Sequence, residues 1–363
     1  MIQNHLAKFV LSLILFVNSS VFAQLDLPRA SQMASVSQRV GITDVTISYS
    51  RPSVNGREVW GQLVPYGMNN LGFGTAKESP WRAGANENTT ISFTDDVTIE
   101  GQPLKAGTYG LSMIVYEDGK ATIIFSNNST AWGSFFYEPS EDALRVDVQT
   151  GETPFTEQLT YDFTNVDATS ATAVLNWEKK QIPFKIGVDV SNIVLNNIRQ
   201  KLQNQAGFQR QSWEQAANYA LNNGGDLNEA LGWIDNAIAG QFYSQKTFNN
   251  VSIKAQIMNK IGNSQAYADL MDEAASMANA NQLNNLGYQM LGTQDYKRAL
   301  GYFEKAAKLD PTNPNVYDSL GECYKTMGDK KNAIKFLKKS LSMNPPPNVK
   351  ANSEKLLAEL DAI

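Results

Sequence analysis

Leu283-Asn284-Asn285-Leu286-Gly287 is followed, 34 residues later, by Tyr317-Asp318-Ser319-Leu320-Gly321. The same offset carries Met290 to Tyr324, Ala299 to Ala333, Phe303 to Leu337, Ala306 to Ser340 and Pro311 to Pro345. A period of this length is one helical hairpin per unit. Gly287, Ala299 and Ala306 are small enough to let two helices approach closely, while Leu283, Leu286, Met290 and Phe303 fill the space between them. The proline ending each unit stops its second helix. The spacing predicts two paired-helix repeats over residues 280–348 and a capping helix within residues 349–363.

Two more helical stripes lie upstream. Trp213, Ala216, Ala217 and Ala220 form one, and Leu227, Ala230, Leu231, Ile234 and Ile238 form the next. Gly224-Gly225-Asp226 between them reads as a helix stop and an N-cap. Residues 252–262 and 264–280 read as another pair. Residues 191–279 are therefore expected to be helical hairpins, degenerate relatives of the clear repeats.

Before residue 191 the period changes. Val45, Ile47 and Tyr49 alternate with Thr46, Ser48 and Ser50, the pattern of a half-buried strand. Further runs at 89–93, 97–100, 108–116, 121–126, 144–148, 156–163, 171–178 and 182–190 are separated by turn chemistry such as Glu117-Asp118-Gly119-Lys120. Such runs, with no helical period between them, predict an antiparallel β-sandwich or barrel over residues 24–190. Residues 51–88 interrupt the pattern with loop material, including Asn55-Gly56-Arg57, Pro65-Tyr66-Gly67 and Gly72-Phe73-Gly74. Its rings, Trp60, Tyr66, Phe73 and Trp81, are expected to seek burial and so to order the loop. The fold class is thus multi-domain α and β: an N-terminal antiparallel sheet domain followed by an all-α array.

The chain has 363 residues, 42% of them hydrophobic, and a formal net charge of −5. No basic stripe is present, which sets nucleic-acid binding aside. The N-terminus joins a weakly basic start, an apolar run from Phe9 to Val17 and a small residue at Ala23. This is the pattern of a cleaved signal peptide over residues 1–23. The run is too short to cross a hydrocarbon layer of ~30 Å, and no cysteine near the cut invites lipid anchoring. A periplasmic or secreted protein is expected, with no transmembrane segment after cleavage. The only histidine, His5, falls inside that segment, and the only cysteine is Cys323. Histidine-based triads, histidine-ligated zinc and an internal disulfide are therefore excluded for the mature chain.

The 34-residue pattern resembles the tetratricopeptide repeat. That resemblance implies a protein partner on the inner face of each unit's first helix, at positions that here are Asn284, Tyr288, Asp318, Glu322 and Lys325. In repeats that clamp acidic C-terminal peptides, this face carries a lysine and an asparagine. The positions Asn284, Tyr288, Asp318 and Glu322 do not reproduce that clamp, so a different partner is expected. The β region resembles the exported bacterial domain of unknown function 2911. The resemblance rests on Tyr49-Ser50-Arg51-Pro52-Ser53, Leu63-Val64-Pro65-Tyr66-Gly67, Trp81-Arg82-Ala83-Gly84-Ala85-Asn86-Glu87, Trp132-Gly133 and Asn176-Trp177-Glu178. It implies an exported β domain and attaches no activity to it. Residues 68–79 here separate segments that run more directly together in that family.

Arg57, Trp60, Tyr66, Trp81, Arg82, Asn86 and Glu87 are the candidate ligand-binding residues. Arginine forks, an amide and aromatic platforms suit a carboxylate, a sugar or a peptide. The competing reading pairs Arg82 and Arg57 with Glu87 or Glu58 and spends their remaining donors on loop carbonyls. Carboxylates that could hydrolyse a glycoside, such as Asp95, Asp96 and Asp142, sit in turn contexts where acids are usually solvated. No calcium loop and no phosphate-cradling glycine loop occurs, and no metal or cofactor is expected. Cys323 falls among Leu320, Gly321 and Tyr324, where a buried small hydrophobe is expected rather than a nucleophile. The expected function is a non-catalytic envelope protein whose repeats bind a protein partner. The alternative is a carbohydrate- or peptide-binding domain, or a hydrolase, built on the loop-rich stretch.

Overall fold

A computed structural model describes residues 27–361; the signal-peptide expectation and His5 lie outside the described residues. The described chain forms two compact units, one ending at Val190 and the other beginning at Ser191.

The first unit is two antiparallel sheets. Strands β1 (Gln32–Val40), β2 (Thr43–Arg51), β3 (Thr90–Phe93), β6 (Gly107–Val115), β7 (Lys120–Ser126) and β8 (Asp142–Gln149) lie side by side in that order. The second sheet runs β5 (Gln102–Leu104), β4 (Val97–Ile99), β10 (Ser170–Val188), β9 (Gly151–Thr164). The period of two decides the faces. Val45, Ile47 and Tyr49 on β2 are buried, while Thr46 and Ser48 are only half-covered. The buried faces meet: Phe125 on β7 packs edge-on against Phe184 on β10 with ring centroids 5.9 Å apart. Tyr49 on β2 meets Tyr161 on β9 at 4.7 Å. The architecture is therefore a β-sandwich.

Three details depart from the sequence reading. The runs at 171–178 and 182–190 are one strand, β10. The polar stretch Glu178-Lys179-Lys180-Gln181 looks like a turn, yet its backbone keeps pairing with β9, Glu178 opposite Thr156 and Gln181 opposite Gly151. The irregularity is absorbed by a bulge, with Glu178 at φ 53°. Strand β1, mostly exposed at a sheet edge, lacks the clean alternation that would have marked it. Strand β5 is three residues long with Pro103 at its centre, a composition tolerated only at an edge. The loop aromatics also divide. Trp60 and Trp81 are half-buried, but Tyr66 and Phe73 remain 38% and 68% exposed. Burial of all four rings was the wrong expectation, because Phe73 finds its partners at the surface, Phe135 and Phe136.

Among the described residues the second unit forms, besides a 3-10 turn at Gln205–Phe208, ten α-helices: α1 (Val190–Leu202), α2 (Arg210–Asn222), α3 (Leu227–Ala239), α4 (Phe248–Ile261), α5 (Ser264–Met277), α6 (Ala280–Gly292), α7 (Tyr296–Leu309), α8 (Pro314–Thr326), α9 (Lys330–Ser342) and α10 (Pro347–Asp361). Each helix from α3 to α9 begins on an Asp, Asn or Thr whose side chain accepts a backbone N–H of the first turn. Those caps fix short connections, and short connections make antiparallel hairpins. The hairpins share faces in sequence. Leu195, Trp233, Ile234 and Ile257 form one core, and Met271, Leu283, Phe303, Val316 and Cys323 belong to the next. Leu337, Leu356 and Leu360 close the C-terminal end. Gly287 and Gly321 explain the repeat spacing at atomic level. A Cβ at Gly287 would lie 2.5 Å from the Phe303 ring, and one at Gly321 2.5 Å from Leu337 Cγ. Each glycine therefore opens the seat for the bulky residue of its partner helix.

Candidate functional site

The loop between β2 and β3 holds its shape through backbone pairing as well as buried rings. Trp81 exchanges two hydrogen bonds with Met113 on β6, at 2.9 and 2.8 Å. Asn69 and Ser79 exchange another pair, at 3.0 and 2.8 Å. Pro52 and Val54 bond to Leu159 and Glu157 on β9. The loop thus joins the rim of one sheet to the other, and its middle walls a cavity of about 450 Å³. That volume lies within the range of small-molecule sites.

Four of the seven sequence candidates, Arg57, Trp81, Arg82 and Asn86, line this cavity together with Trp177 and Ser134. One Arg82 amino group donates to the Asn86 carbonyl at 2.9 Å. The guanidinium lies over the rings of Phe135 and Trp132, 5.3 and 5.9 Å from their centroids. Gly133 permits this placement, since a Cβ there would come within 2.9 Å of the guanidinium carbon. Burial lowers the Arg82 pKa from its ordinary value. Asn86 is in the left-handed region, at φ 59°, and its amide donates to Ser31 O at 2.9 Å. Arg57 donates to the carbonyls of Val54 and Ser53.

The other three candidates are elsewhere. Trp60 and Tyr66 border a separate depression with Glu152 and Lys180, whose ammonium sits 5.6 Å from the Trp60 ring centroid. Glu87 is ion-paired with Arg29, which holds its carboxyl below the usual carboxylate range. Arg82 therefore pairs with neither Glu87 nor Glu58. It rests on a carbonyl and two aromatic faces instead.

Residues that the candidate set left out complete the site. Trp177 is 1% exposed and stacks on Trp81 with centroids 5.9 Å apart, while Trp60 meets both edge-on. The buried indole N–H of Trp177 has no hydrogen-bond acceptor. Trp132, Phe135 and Trp177 are remote in sequence from the loop; Trp132-Gly133 and Asn176-Trp177-Glu178 belong to the family-like motifs, and Phe135 carries no sequence signal. Behind the cavity wall, Tyr161 O–H donates to the carbonyl of Ala83, a buried residue at φ 51°, over 2.9 Å. Tyr161→Phe should destabilise the chain by about 1–2 kcal/mol. Urea unfolding of wild type and variant reads the difference. An unchanged midpoint would mean that the weaker Thr89 hydroxyl contact, at 3.3 Å, suffices for that carbonyl.

In the helical unit four of the five inner-face candidates are already engaged with other side chains. Tyr288 O–H bonds Glu322 at 2.9 Å and Ser319 at 3.1 Å, and burial raises its pKa. Asp318, 4% exposed, accepts from Asn352 at 2.9 Å and from the Ser353 hydroxyl on α10. Lys325 pairs with Glu359 at 2.7 Å. Asn284 is buried, with its side-chain oxygen lacking a donor. The bonds Tyr288–Glu322, Asp318–Asn352 and Lys325–Glu359 each span 34 residues. The Cys323 thiol is buried, and burial pushes its pKa up to about 11. Among the described residues no group of three or more acidic, cysteine or histidine side chains is placed to hold a metal ion, and no helix is long and apolar enough to cross a membrane.

Residues 31–186 match the family model described as "Protein of unknown function (DUF2911)", so the resemblance read from the β region is borne out. Residues 284–361 match the model for "Regulator of microtubule dynamics protein 1-3". Among solved structures, the helical region is similar to tetratricopeptide proteins. One is the MamA protein, at 17% identity, covering 42% of this chain and 82% of that one with a TM-score of 0.31. Another is YrrB, described as a TPR protein with an unusual peptide-binding site, at 13% identity, covering 46% and 84% with a TM-score of 0.32. A third is the C-terminal part of a TPR repeat-containing protein from Cytophaga hutchinsonii, at 15% identity, covering 47% and 69% with a TM-score of 0.36.

Proposed function

We propose that the chain is an exported, non-catalytic binding protein whose helical array engages a protein partner and whose β unit takes a small ligand in the loop-walled cavity. The signal-like N-terminus supports export to the periplasm or beyond. The stacking of hairpins at a 34-residue spacing carries the partner reading. Each unit contacts only its neighbours, so such an array grows into an extended surface rather than closing on itself. On the first helices of its repeats this surface presents the exposed Tyr288 bonded to the half-covered Glu322.

The rival reading, a hydrolase on the loop, needs a carboxylate beside the arginines. Glu87 is instead held by Arg29 outside the cavity lining, which favours binding over hydrolysis. Crosslinking of the tagged full chain in envelope extracts tests the partner assignment. The double variant Tyr288→Ala, Glu322→Ala should keep native helicity yet lose about 2 kcal/mol or more of partner affinity, as expected for a central tyrosine anchor. Retention of the same partners at wild-type affinity would remove the array from the interaction.

A further inference from the structure

We propose that the β-unit cavity is selective for a sugar acid: a carboxylate carried on a hydroxylated ring. This rests on the ligand-site half of the function proposed above and adds to it the charge and class of the ligand.

The cavity is electrostatically one-sided. Its lining includes the guanidinium groups of Arg57 and Arg82 and no carboxylate. Among the described residues neither arginine forms an ion pair; their hydrogen bonds go to the carbonyls of Val54, Ser53 and Asn86. Arg82 is also partly withdrawn from water against Phe135 and Trp132. A desolvated cation without a counter-charge is unfavourable, and an entering anion removes that penalty. The indole N–H of Trp177, in the same wall, is buried without an acceptor. Buried polar groups left unpaired are rare enough that each calls for a partner.

The form of the anion follows from what else the wall offers. Phosphate sites are usually cradles of free backbone N–H groups. Here the N–H groups of Gly67, Asn69, Ser79 and Trp81 are all spent on carbonyls. The charge in the wall comes from arginine side chains, and a planar guanidinium fork matches a planar carboxylate. The volume exceeds that of a bare carboxylate several-fold, so the anion must be carried on a larger body. Trp81, stacked on the buried Trp177, gives that body an apolar face, and Gln62, Asn69 and Asn86 also line the site. A pyranose presents the complementary surfaces: C–H faces for the rings and a hydroxyl rim for the amides.

The test is a titration of the full chain with D-glucuronate, D-glucose, benzoate and inorganic phosphate, read by calorimetry and by tryptophan fluorescence. Glucuronate should saturate, and glucose should bind about 10- to 100-fold more weakly, the worth of hydrogen bonds to a charged group. Arg82→Gln and Arg57→Gln should each weaken glucuronate binding by a similar factor. Arg57 is the safer variant for folding because it is exposed, and thermal unfolding of both variants checks that the fold is kept. Higher salt should weaken glucuronate and leave glucose unaffected. Equal affinity for glucose and glucuronate overturns the acid selectivity while leaving the ligand site standing. Tighter binding of phosphate or benzoate overturns the sugar-acid class. Glucuronate binding unchanged in both arginine variants overturns the assignment of the carboxylate to this cavity. Failure of every probe to bind overturns the inference together with the ligand-site reading, and leaves the partner reading of the array untouched.

Discussion

Trp177→Ala should destabilise the β unit by about 3–5 kcal/mol, the range for removing a large aromatic from a packed core. Trp177 is almost fully buried on β10 and holds two other indoles: Trp81 stacks on it at an interplanar angle of 16°, and Trp60 meets it at 77°. Aromatic pairs of this kind add about 0.5–1.5 kcal/mol each beyond the buried area. Truncation therefore removes both pairings and leaves the loop that carries Trp60 and Trp81 without its floor. Urea unfolding followed by near-UV circular dichroism measures the loss. Trp177→Phe should lose less, because a ring still fills part of the space. A loss under about 1 kcal/mol for the alanine variant would show that the loop repacks freely, and a cavity with such a wall could not be preorganised for any ligand.

The second large effect is expected in the helical array. Phe303→Ala should cost about 3–5 kcal/mol, since the ring is fully buried in a core that spans several helices. The glycine opposite makes the argument sharper. Gly287→Ala alone places a methyl group into the ring, an overpacking worth about 1–3 kcal/mol, offset by about 1 kcal/mol of helix propensity. In the Phe303→Ala background the clash is gone, so the same Gly287→Ala change should become neutral or stabilising. The double-mutant cycle should therefore show a coupling of about 1 kcal/mol or more. Hydrogen exchange across α6 to α9 locates the effect. Strict additivity would mean that the two helices do not meet at these residues.

Where local chemistry decides the structure, the sequence was readable. Leu286-Gly287 and Leu320-Gly321 name the repeat because a glycine must face Phe303 and Leu337. Asp226 marks a helix start because the cap is made by the residue itself. The strands that escaped were those whose pattern is set by distant partners. Glu178 to Gln181 stays in a strand because β9 pairs with it across the sequence, and β1 is a strand mainly because β2 lies beside it.

The candidate site divides in the same way. Arg57, Trp81, Arg82 and Asn86 stood out as loop residues with polar or aromatic chemistry, and they converge. Proximity in the chain wrongly added Trp60, Tyr66 and Glu87 to that group. Trp60 faces the other way across the indole cluster, and Glu87 is captured by Arg29 from before β1. Trp132, Phe135 and Trp177 reach the site through sheet topology, which no local pattern encodes.

The bonds from Tyr288 to Glu322, Asp318 to Asn352 and Lys325 to Glu359 obey one rule: residue n reaches residue n + 34. A rule of offset makes the length of the array discrete. Duplicating or deleting one whole unit leaves every remaining partner at its required distance along the chain. A change of any other size shifts the register of everything downstream, including the seat of α10 on Asp318. Natural variants of this chain should therefore differ in the array by whole hairpins, and engineered ones should fold only when cut or spliced in the same step.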